Sequence, residues 1–326
     1  MKMKRLLALF LALIMCFILV ACGNDGDKDD GDSKKGSSAS RNEDSAPLLY
    51  RVTDDDGNVI WLFGSIHVGR EDYYPLPDYV LDAFDGSDSL AVELDVIAFE
   101  KDTSLQFDAL SAMVYNDGTK IKDHISAELY EEAVELLTEY DYYVSLLDMY
   151  CPAFWSSALD SLLVEEIGVK TDLGIDRHLI NRAYDADKEI IDIESAKFQY
   201  EMLADFDDEV QALLLESSVE SFKDKEKTAA ELKEMMDLWA SGDEEAFARY
   251  LTEADDSMTA SEKRAYERYQ QALVTDRNLN MADFAEEALL SGDEVFICVG
   301  AAHIVGDGAL ADLLDRRGYT VELITE

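Results

Sequence analysis

Six short apolar segments stand out from a chain that is otherwise patterned for helices. Apolar, β-branched and aromatic residues bounded by turn signals predict strands, whereas apolar positions spaced by three and four residues predict helices. Most of the apolar segments lie near the two ends of the chain, so the ends are expected to build one sheet. The predicted strands are Leu48–Val52, Val59–Phe63, Ser89–Asp95, Lys188–Glu194, Asp293–Val299 and Tyr319–Ile324.

Short connections join these strands to predicted turns and helices. The turn Asp54–Asn58 carries an Asp-Gly pair, which predicts a hairpin of the first two strands. A helix over Asp78–Phe84 follows the hairpin, and a helix over residues 308–317 precedes the last strand. Strand, helix, strand with short connections is typical of an α/β unit.

The long middle of the chain, about residues 97–290, has a helical period that only the strand Lys188–Glu194 interrupts. A turn ending at Gly174 leads into one of these helices, with Asp176 as its predicted N-cap. The fold class predicted is therefore α/β, with a central sheet formed by the N- and C-terminal segments and a large helical insertion between them.

The N-terminus has the pattern of a secretory signal peptide over residues 1–21. Lys2, Lys4 and Arg5 precede the apolar run Leu6–Val20, which is short for a membrane span. The run is followed by Cys22 in a segment that resembles the lipobox of bacterial lipoproteins. That resemblance implies cleavage before Cys22 and attachment of lipid, including palmitate, to its thiol.

Residues 22–46 are almost entirely polar and predict a flexible tether, so the folded domain is expected over residues 47–326. The expected location is extracytoplasmic, on a bacterial cell membrane, held through the lipid anchor. After the signal peptide and Cys22, two cysteines remain, Cys151 and Cys298. They could form a disulfide, although Cys298 lies in an apolar strand and is more simply a buried thiol.

The net charge of -43 in 326 residues excludes nucleic acid as a partner, because phosphate binding needs clustered Lys and Arg. The acidic residues are spread along the helical middle. Solvated helix faces explain this distribution, and a preference for cationic ligands or metal ions is the alternative.

Four polar residues lie at the carboxyl ends of predicted strands, where ligands bind in open α/β sheets. They are His67, Glu93, Glu194 and His303. If their strands are parallel neighbours, all four side chains converge. Two imidazoles with one or two carboxylates are a typical ligand set for a divalent transition metal.

The two histidines share a Gly-x-x-His pattern with Gly64 and Gly300, which would let the backbone turn sharply and approach a ligand. Hydrogen-bonded structural histidines are the alternative. A carboxylate such as Glu93 in an apolar strand costs several kcal/mol unless it is paired or bound to metal. Glu194 could instead belong to the solvated face of an edge strand. The remaining histidines, His124 and His178, are expected to have surface roles.

Several motifs together resemble the TraB/GumN family, which includes the Tiki proteases. The resemblance covers about residues 48–326, nearly the whole folded domain. The motifs are Phe63–His67, Val92–Asp95, Gly174–Asp176, Ile193–Glu194 with Gln199, Asp276–Asn278 with Met281, and Gly300–Gly308. A more remote likeness is to erythromycin-esterase-type hydrolases and haem-binding ChaN-like proteins, which predicts the same architecture.

The resemblance implies a divalent metal, manganese or cobalt with zinc as a further option, and places His67, Glu93 and His303 at the site. It also implies a role for Arg277, which could orient a carbonyl or carboxylate and would otherwise be read as a helix surface charge. The expected function is a membrane-tethered metal-dependent hydrolase with a peptide or small-molecule substrate. His67 and His303 would bind the metal, Glu93 would be a ligand or general base, and Glu194 would complete the shell.

Two other functions remain open at this point. The same residues could form a non-catalytic site that sequesters a peptide or haem. One histidine could instead act as the general base of a metal-free esterase.

Overall fold

A computed structural model describes residues 45–252 and 257–325 of the chain. The predicted signal peptide, the Cys22 lipidation site and nearly all of the predicted tether lie outside these residues. Within the described part, every helix is too short or too polar to cross a bilayer.

Six strands form one mixed sheet in the described residues, in the order β4-β3-β5-β2-β1-β6. The strands β2, β5, β3 and β4 are parallel neighbours, whereas β1 pairs antiparallel with β2 and β6. Their bounds are β1 (Leu49–Thr53), β2 (Val59–Ser65), β3 (Ser89–Val92), β4 (Glu189–Asp192), β5 (Val295–Gly300) and β6 (Thr320–Ile324).

All six predicted strands and the first hairpin are confirmed. Two strand ends at the candidate site differ from the prediction: β3 ends at Val92 and β4 at Asp192, so Glu93 and Glu194 follow their strands instead of lying inside them. Hydrogen bonding continues for two residues, because the amide of Ile193 donates to Val92 and that of Glu194 to Glu93. Glu93 and Glu194 are therefore held side by side just past the sheet.

Helices α2 to α12 form the predicted insertion between β3 and β5, interrupted only by β4 among the described residues. A π-helical turn at Gln271–Thr275 leads directly into α12. The helices are α1 (Asp78–Gly86), α2 (Val96–Lys101), α3 (Thr103–Ala112), α4 (Ala127–Glu139), α5 (Pro152–Glu166), α6 (Ile175–Asp185), α7 (Ala196–Ala204), α8 (Asp208–Lys223), α9 (Lys225–Ser241), α10 (Glu244–Thr252), α11 (Ala260–Gln270), α12 (Asp276–Ser291), α13 (Ala301–Ile304) and α14 (Leu310–Arg316).

Aromatic packing fixes helices of both the core and the insertion on the sheet. Phe296 of β5 packs against Phe63 of β2 and Phe84 of α1, with ring centroids 5.7 and 5.5 Å apart. Trp239 of α9 contacts Phe63 and donates its indole N–H to the Gly64 carbonyl at 2.8 Å. This bond ties the insertion to the strand that leads to His67.

Two predictions on individual residues are now decided. The N-cap of α6 is Gly174, so the N-cap prediction for Asp176 was wrong: Asp176 lies inside the first turn and its carboxylate points to another element. Cys151 and Cys298 are both free and buried, consistent with the reading of Cys298 as a plain buried thiol.

A buried carboxyl group lies far along the insertion, at Asp160 on α5. The residue is 1% exposed, and neither oxygen has a hydrogen-bond partner at good geometry among the described residues. Burial raises the pKa of Asp160 to about 8, and the nearby Ser218 hydroxyl opposes this only in part. The carboxyl group is therefore protonated in the folded chain at neutral pH and ionised in the unfolded chain.

We expect the chain to lose stability as the pH rises from about 4 to about 8, because the unfolded state binds fewer protons at Asp160 over that range. Each full proton of difference changes the unfolding free energy by about 1.4 kcal/mol per pH unit. Asp160→Asn should remove this dependence and stabilise the chain more at about pH 8 than at about pH 5. Urea unfolding of both proteins at the two pH values measures it.

The matched control is Asp82→Asn on the exposed side of α1. Its unfolding free energy should follow that of the wild type at both pH values. If the unfolding free energies of Asp160→Asn and the wild type differ by the same amount at both pH values, the prediction is contradicted.

Candidate functional site

The four predicted residues follow the four adjacent parallel strands. His67 comes after β2, Glu93 after β3, Glu194 after β4, and His303 after β5. Parallel strands place their carboxyl ends at the same edge of a sheet. The four side chains therefore share one rim, with Glu93 near its centre.

Glu93 is buried and bound on both oxygens. Its Oε1 accepts the amide N–H of Gly300 at 2.7 Å, and its Oε2 accepts Nη2 of Arg277 at 2.5 Å. Burial alone would raise the pKa of Glu93, but the Arg277 charge, with smaller contributions from the neighbouring histidines and the Gly300 N–H, outweighs it and lowers the pKa to about 2. Glu93 is thus ionised throughout the physiological range.

The two glycines of the Gly-x-x-His pattern act through close approach. A Cβ on Gly300 would lie 3.2 Å from Glu93 Oε1, so the bare backbone lets the N–H reach the carboxylate. Gly64 lies inside β2 rather than at a turn, and a Cβ there would lie 3.0 Å from Ala301 of α13. Gly64 is therefore needed for packing, and not for the sharp turn expected of it.

Arg277 at the start of α12 joins the two glutamates. Its side chain is 1% exposed, which excludes the reading as a helix surface charge. Its Nε donates to Glu194 Oε1 at 2.8 Å, Nη2 to Glu194 Oε2 at 2.7 Å, and Nη1 to the Leu273 carbonyl at 3.2 Å. Burial lowers the pKa of Arg277, but Glu93 and Glu194 outweigh this and raise it, so the guanidinium stays charged.

Glu194 faces Arg277 and Gln199, not the histidines. Its Oε2 accepts Nε2 of Gln199 at 2.7 Å in addition to the Arg277 bond. Both carboxylate oxygens are therefore engaged in holding the guanidinium. This arrangement favours a supporting role for Glu194 over the role of an additional ligand.

His67 is held by a residue for which sequence reasoning predicted another role. Its Nδ1 lies 2.6 Å from Oδ2 of Asp176, in the first turn of α6. The start of α6 can approach His67 because Gly174 has no side chain: a Cβ there would lie only 2.7 Å from the His67 carbonyl. The Ile175 amide also donates to the Ile66 carbonyl at 2.9 Å. The Gly-Ile-Asp motif was the sequence signal for this contact.

His303 is held in the same way by Asn278, the residue after Arg277. Its Nδ1 lies 2.7 Å from Oδ1 of Asn278, whose Nδ2 donates to the Gly308 carbonyl at 2.9 Å. Because the amide nitrogen is used at Gly308, the amide oxygen faces His303 and must accept from Nδ1. Burial and Arg277 lower the pKa of His303 to about 3, so the ring is neutral.

The two imidazoles therefore share the same hydrogen-bonding arrangement. An acceptor binds Nδ1 of each ring, which leaves Nε2 as the nitrogen that carries the lone pair. Histidine ligands of metals almost always have their other ring nitrogen bound in this manner. Nε2 of His303 lies 3.9 Å from Glu93 Oε1, so one imidazole directly adjoins the central carboxylate.

The chemistry of these donors fits a divalent metal, but their arrangement is governed by Arg277. Within residues 45–252 and 257–325, no three His, Cys, Asp or Glu side chains form a ready-made metal cluster. The reason is that Glu93 is directed to Arg277 and Gly300. A cavity of about 10 Å³ is lined by Ser65, His67, Glu93 and Asp176 together with apolar residues.

The other two histidines contact different elements. His124 bonds to Asp208 at 2.9 Å and to Thr119 at 2.8 Å. His178 packs on the ring of Tyr74, with centroids 4.3 Å apart. Both have structural roles in the insertion.

The fold and site define a class of α/β proteins in which a mixed sheet, interrupted by a helical insertion, carries two anchored histidines beside a buried Glu–Arg–Glu cluster. This chain belongs to the TraB/PrgY/gumN family, whose model matches residues 48–323. The family resemblance inferred from the motifs is thereby confirmed.

The relatives found are uncharacterised proteins. An uncharacterised protein of Escherichia coli K12, YbaP, is 26% identical over 257 residues, which cover 78% of this chain and 86% of the relative. An uncharacterised protein of Treponema pallidum is 23% identical over 272 residues, covering 83% of this chain and 80% of the relative. No solved structure matches the chain, so the likeness to erythromycin-esterase-type and ChaN-like proteins stays a prediction.

We expect Arg277→Met to destabilise the chain by roughly 3–5 kcal/mol at neutral pH, because it leaves two buried carboxylates without their cation. The Glu93 contribution to stability is present above its unfolded pKa of 4.5 and is lost as the pH falls toward about 2. The gap between wild type and variant should therefore narrow from about pH 7 to about pH 3. Urea unfolding at both pH values measures it.

The matched comparison is the triple variant Arg277→Met, Glu93→Gln, Glu194→Gln, which removes the uncompensated charges as well. It should recover part of the lost stability at neutral pH. If it is as unstable as Arg277→Met alone, packing rather than charge accounts for the effect.

Proposed function

We propose that this chain is a metal-dependent hydrolase that acts on peptides outside the cytoplasm and is tethered to the membrane through lipid on Cys22. The observation that carries the proposal is the pair of imidazoles, His67 and His303, each with Nδ1 anchored and Nε2 as the lone-pair nitrogen, beside an ionised carboxylate. The family resemblance to the Tiki proteases adds support for peptides as substrates.

His67, His303 and Glu93 are the residues that would hold the metal. Two nitrogen donors and one carboxylate suit manganese, cobalt or zinc better than magnesium or calcium, which prefer oxygen alone. A metal bound there would polarise the scissile carbonyl and make water more acidic.

The protein groups have separable tasks. A carboxyl group with a pKa of about 2 is a poor proton acceptor at neutral pH, so Glu93 is better suited to be a ligand than a general base. Arg277 touches Glu93 and Glu194, which makes it a positioning residue. Asp176 and Asn278 orient the imidazoles.

A groove beside the rim offers space for a peptide. It has a volume of about 500 Å³ and borders Gly69, two residues beyond His67. Val169, Leu173 and Met236 supply apolar surface in its walls. We propose this groove as the place where the peptide binds.

A metal-free esterase is the second candidate, because His67 and Asp176 also form a base and its orienting carboxylate at 2.6 Å. Haem sequestration at the rim has less support. The rim cavity of about 10 Å³ is far below the roughly 300–1,000 Å³ of common small-molecule pockets.

Metal analysis of the purified full chain, with hydrolysis of a peptide library, tests the proposal. We expect close to one equivalent of Mn, Co or Zn in the wild type, and loss of metal and of at least about 100-fold in activity in His67→Ala and His303→Ala. His124→Ala, bound to Asp208 in the insertion, is the matched control and should retain both.

The outcomes separate the candidates. Absence of stoichiometric metal under non-chelating conditions would refute the metal-dependent proposal. Hydrolysis of ester substrates that persists in chelator would favour the esterase, and metal binding with no cleavage of any peptide would favour sequestration.

The proposed tether has its own test. Cys22→Ser removes the thiol that would carry the lipid, so the protein should move from the membrane fraction to the soluble fraction in cell fractionation. Cys151→Ser, which changes a buried thiol, should stay with the membranes. Membrane association of Cys22→Ser would rule out the lipid anchor.

A further inference from the structure

Two residues that line the rim cavity have a buried polar atom with no nitrogen or oxygen hydrogen-bond partner among the described residues. Oδ1 of Asp176 makes no hydrogen bond among the described residues, although its neighbour Oδ2 binds His67. Ser65 Oγ, on a residue 1% exposed, faces the Cys298 thiol and has no nitrogen or oxygen partner within the described chain. Leaving such atoms unsatisfied disfavours the folded state.

The cavity has the size for one small molecule. Its volume is about 10 Å³, close to the minimum of roughly 10–15 Å³ that a single water requires. A buried water also needs two to four polar partners. Asp176 Oδ1 and Ser65 Oγ provide two, and the side chains of His67 and Glu93 form the remaining polar lining.

We propose that this cavity binds one water molecule between Asp176 Oδ1 and Ser65 Oγ, and that Asp176 is the proton acceptor for that water in hydrolysis. The proposal rests on the hydrolase function and assigns the acceptor to Asp176 instead of Glu93. Ser65 is a positioning residue for the water.

Accessibility and bonding both favour Asp176 over Glu93. Both oxygens of Glu93 are engaged, by Gly300 and Arg277, whereas Oδ1 of Asp176 has no hydrogen-bond partner among the described residues. The side chains of His67 and Asp176 are 8% and 11% exposed, while that of Glu93 is 6% exposed. Asp176 is thus slightly more exposed than Glu93.

The comparison of the two histidines also supports this role. Asn278 shows that an amide oxygen is sufficient to hold an imidazole Nδ1 at this rim. A carboxylate at position 176 is therefore more than the orientation of His67 requires. Its additional property is that it can accept a proton.

The reaction balances with these groups. The water oxygen forms a bond to the acyl carbon, and one water proton passes to Asp176. The bond from that carbon to nitrogen then breaks, and the proton passes from Asp176 to the departing amine. One water is consumed for each peptide bond, and the carboxylate is restored.

The first test is a high-resolution crystal structure of the full chain, together with Ser65→Ala and Ser65→Thr. We expect one ordered water in the wild-type cavity. Ser65→Ala removes a partner but keeps the space, whereas Ser65→Thr keeps the hydroxyl and fills the space with a methyl group. A wild-type cavity without ordered water would overturn the proposal.

The second test is kinetic and uses the same peptide library. Asp176→Asn keeps an oxygen for His67 Nδ1 but loses the proton acceptor, so kcat should fall by about 10²- to 10⁴-fold with metal content unchanged. Ser65→Ala should lower kcat by roughly tenfold with KM unchanged. Ser65→Thr keeps the hydroxyl but displaces the water, so kcat should fall while the metal content and the unfolding free energy stay close to those of the wild type.

Ser157→Ala is the matched control, because its buried hydroxyl bonds to the Ala153 carbonyl inside α5. The role of the water would be refuted if Asp176→Asn had the same kcat as the wild type. The same holds if Ser65→Thr displaced the water and kept the wild-type kcat. If the wild type contains no metal and cleaves no peptide, the hydrolase proposal fails. The crystal structure tests the water site in either case.

Discussion

The contact between Arg277 and Glu93 is the constraint on which the rest of the rim depends. A carboxylate just past a buried strand must have a counter-charge, and here the guanidinium provides it while also binding Glu194. Asp160 shows the alternative: no cation among the residues the structure describes contributes to its pKa, which rises to about 8, whereas that of Glu93 falls to about 2. The sign of the shift is decided by the partner, since burial alone acts in the same direction on both.

The helical insertion supplies the partners of the site, so it is part of the functional unit. The sheet provides the histidines and Glu93, but Asp176 comes from α6, and Arg277 with Asn278 comes from the start of α12. The close approach of each helix to the sheet depends on a glycine or on a π-helical turn. Gly174 admits α6 to the His67 carbonyl, and the π-helical turn before α12 places Leu273 to accept from Arg277. Stability of the insertion and geometry of the rim are thus linked.

The rim has two sides with different chemistry. On one side, Arg277 and both glutamates form a closed charge network with nearly no access to solvent. On the other side, His67 and Asp176 border a cavity and retain some exposure. The closed charge network is thus distinct from the His67–Asp176 pair.

The sequence by itself determined the six strands, the α/β class, the place of the helical insertion and the family, because short-range periodicity and turn residues carry that information. It also indicated His67, Glu93, Glu194 and His303, since residues at strand ends can be counted from the pattern. The tertiary structure alone decided that the four strands are adjacent and parallel, that Arg277 is buried, and that Asp176 holds His67 instead of capping a helix. Those facts depend on which distant atoms meet after packing, and a hydrogen bond between residues 109 positions apart leaves no periodic trace in the chain.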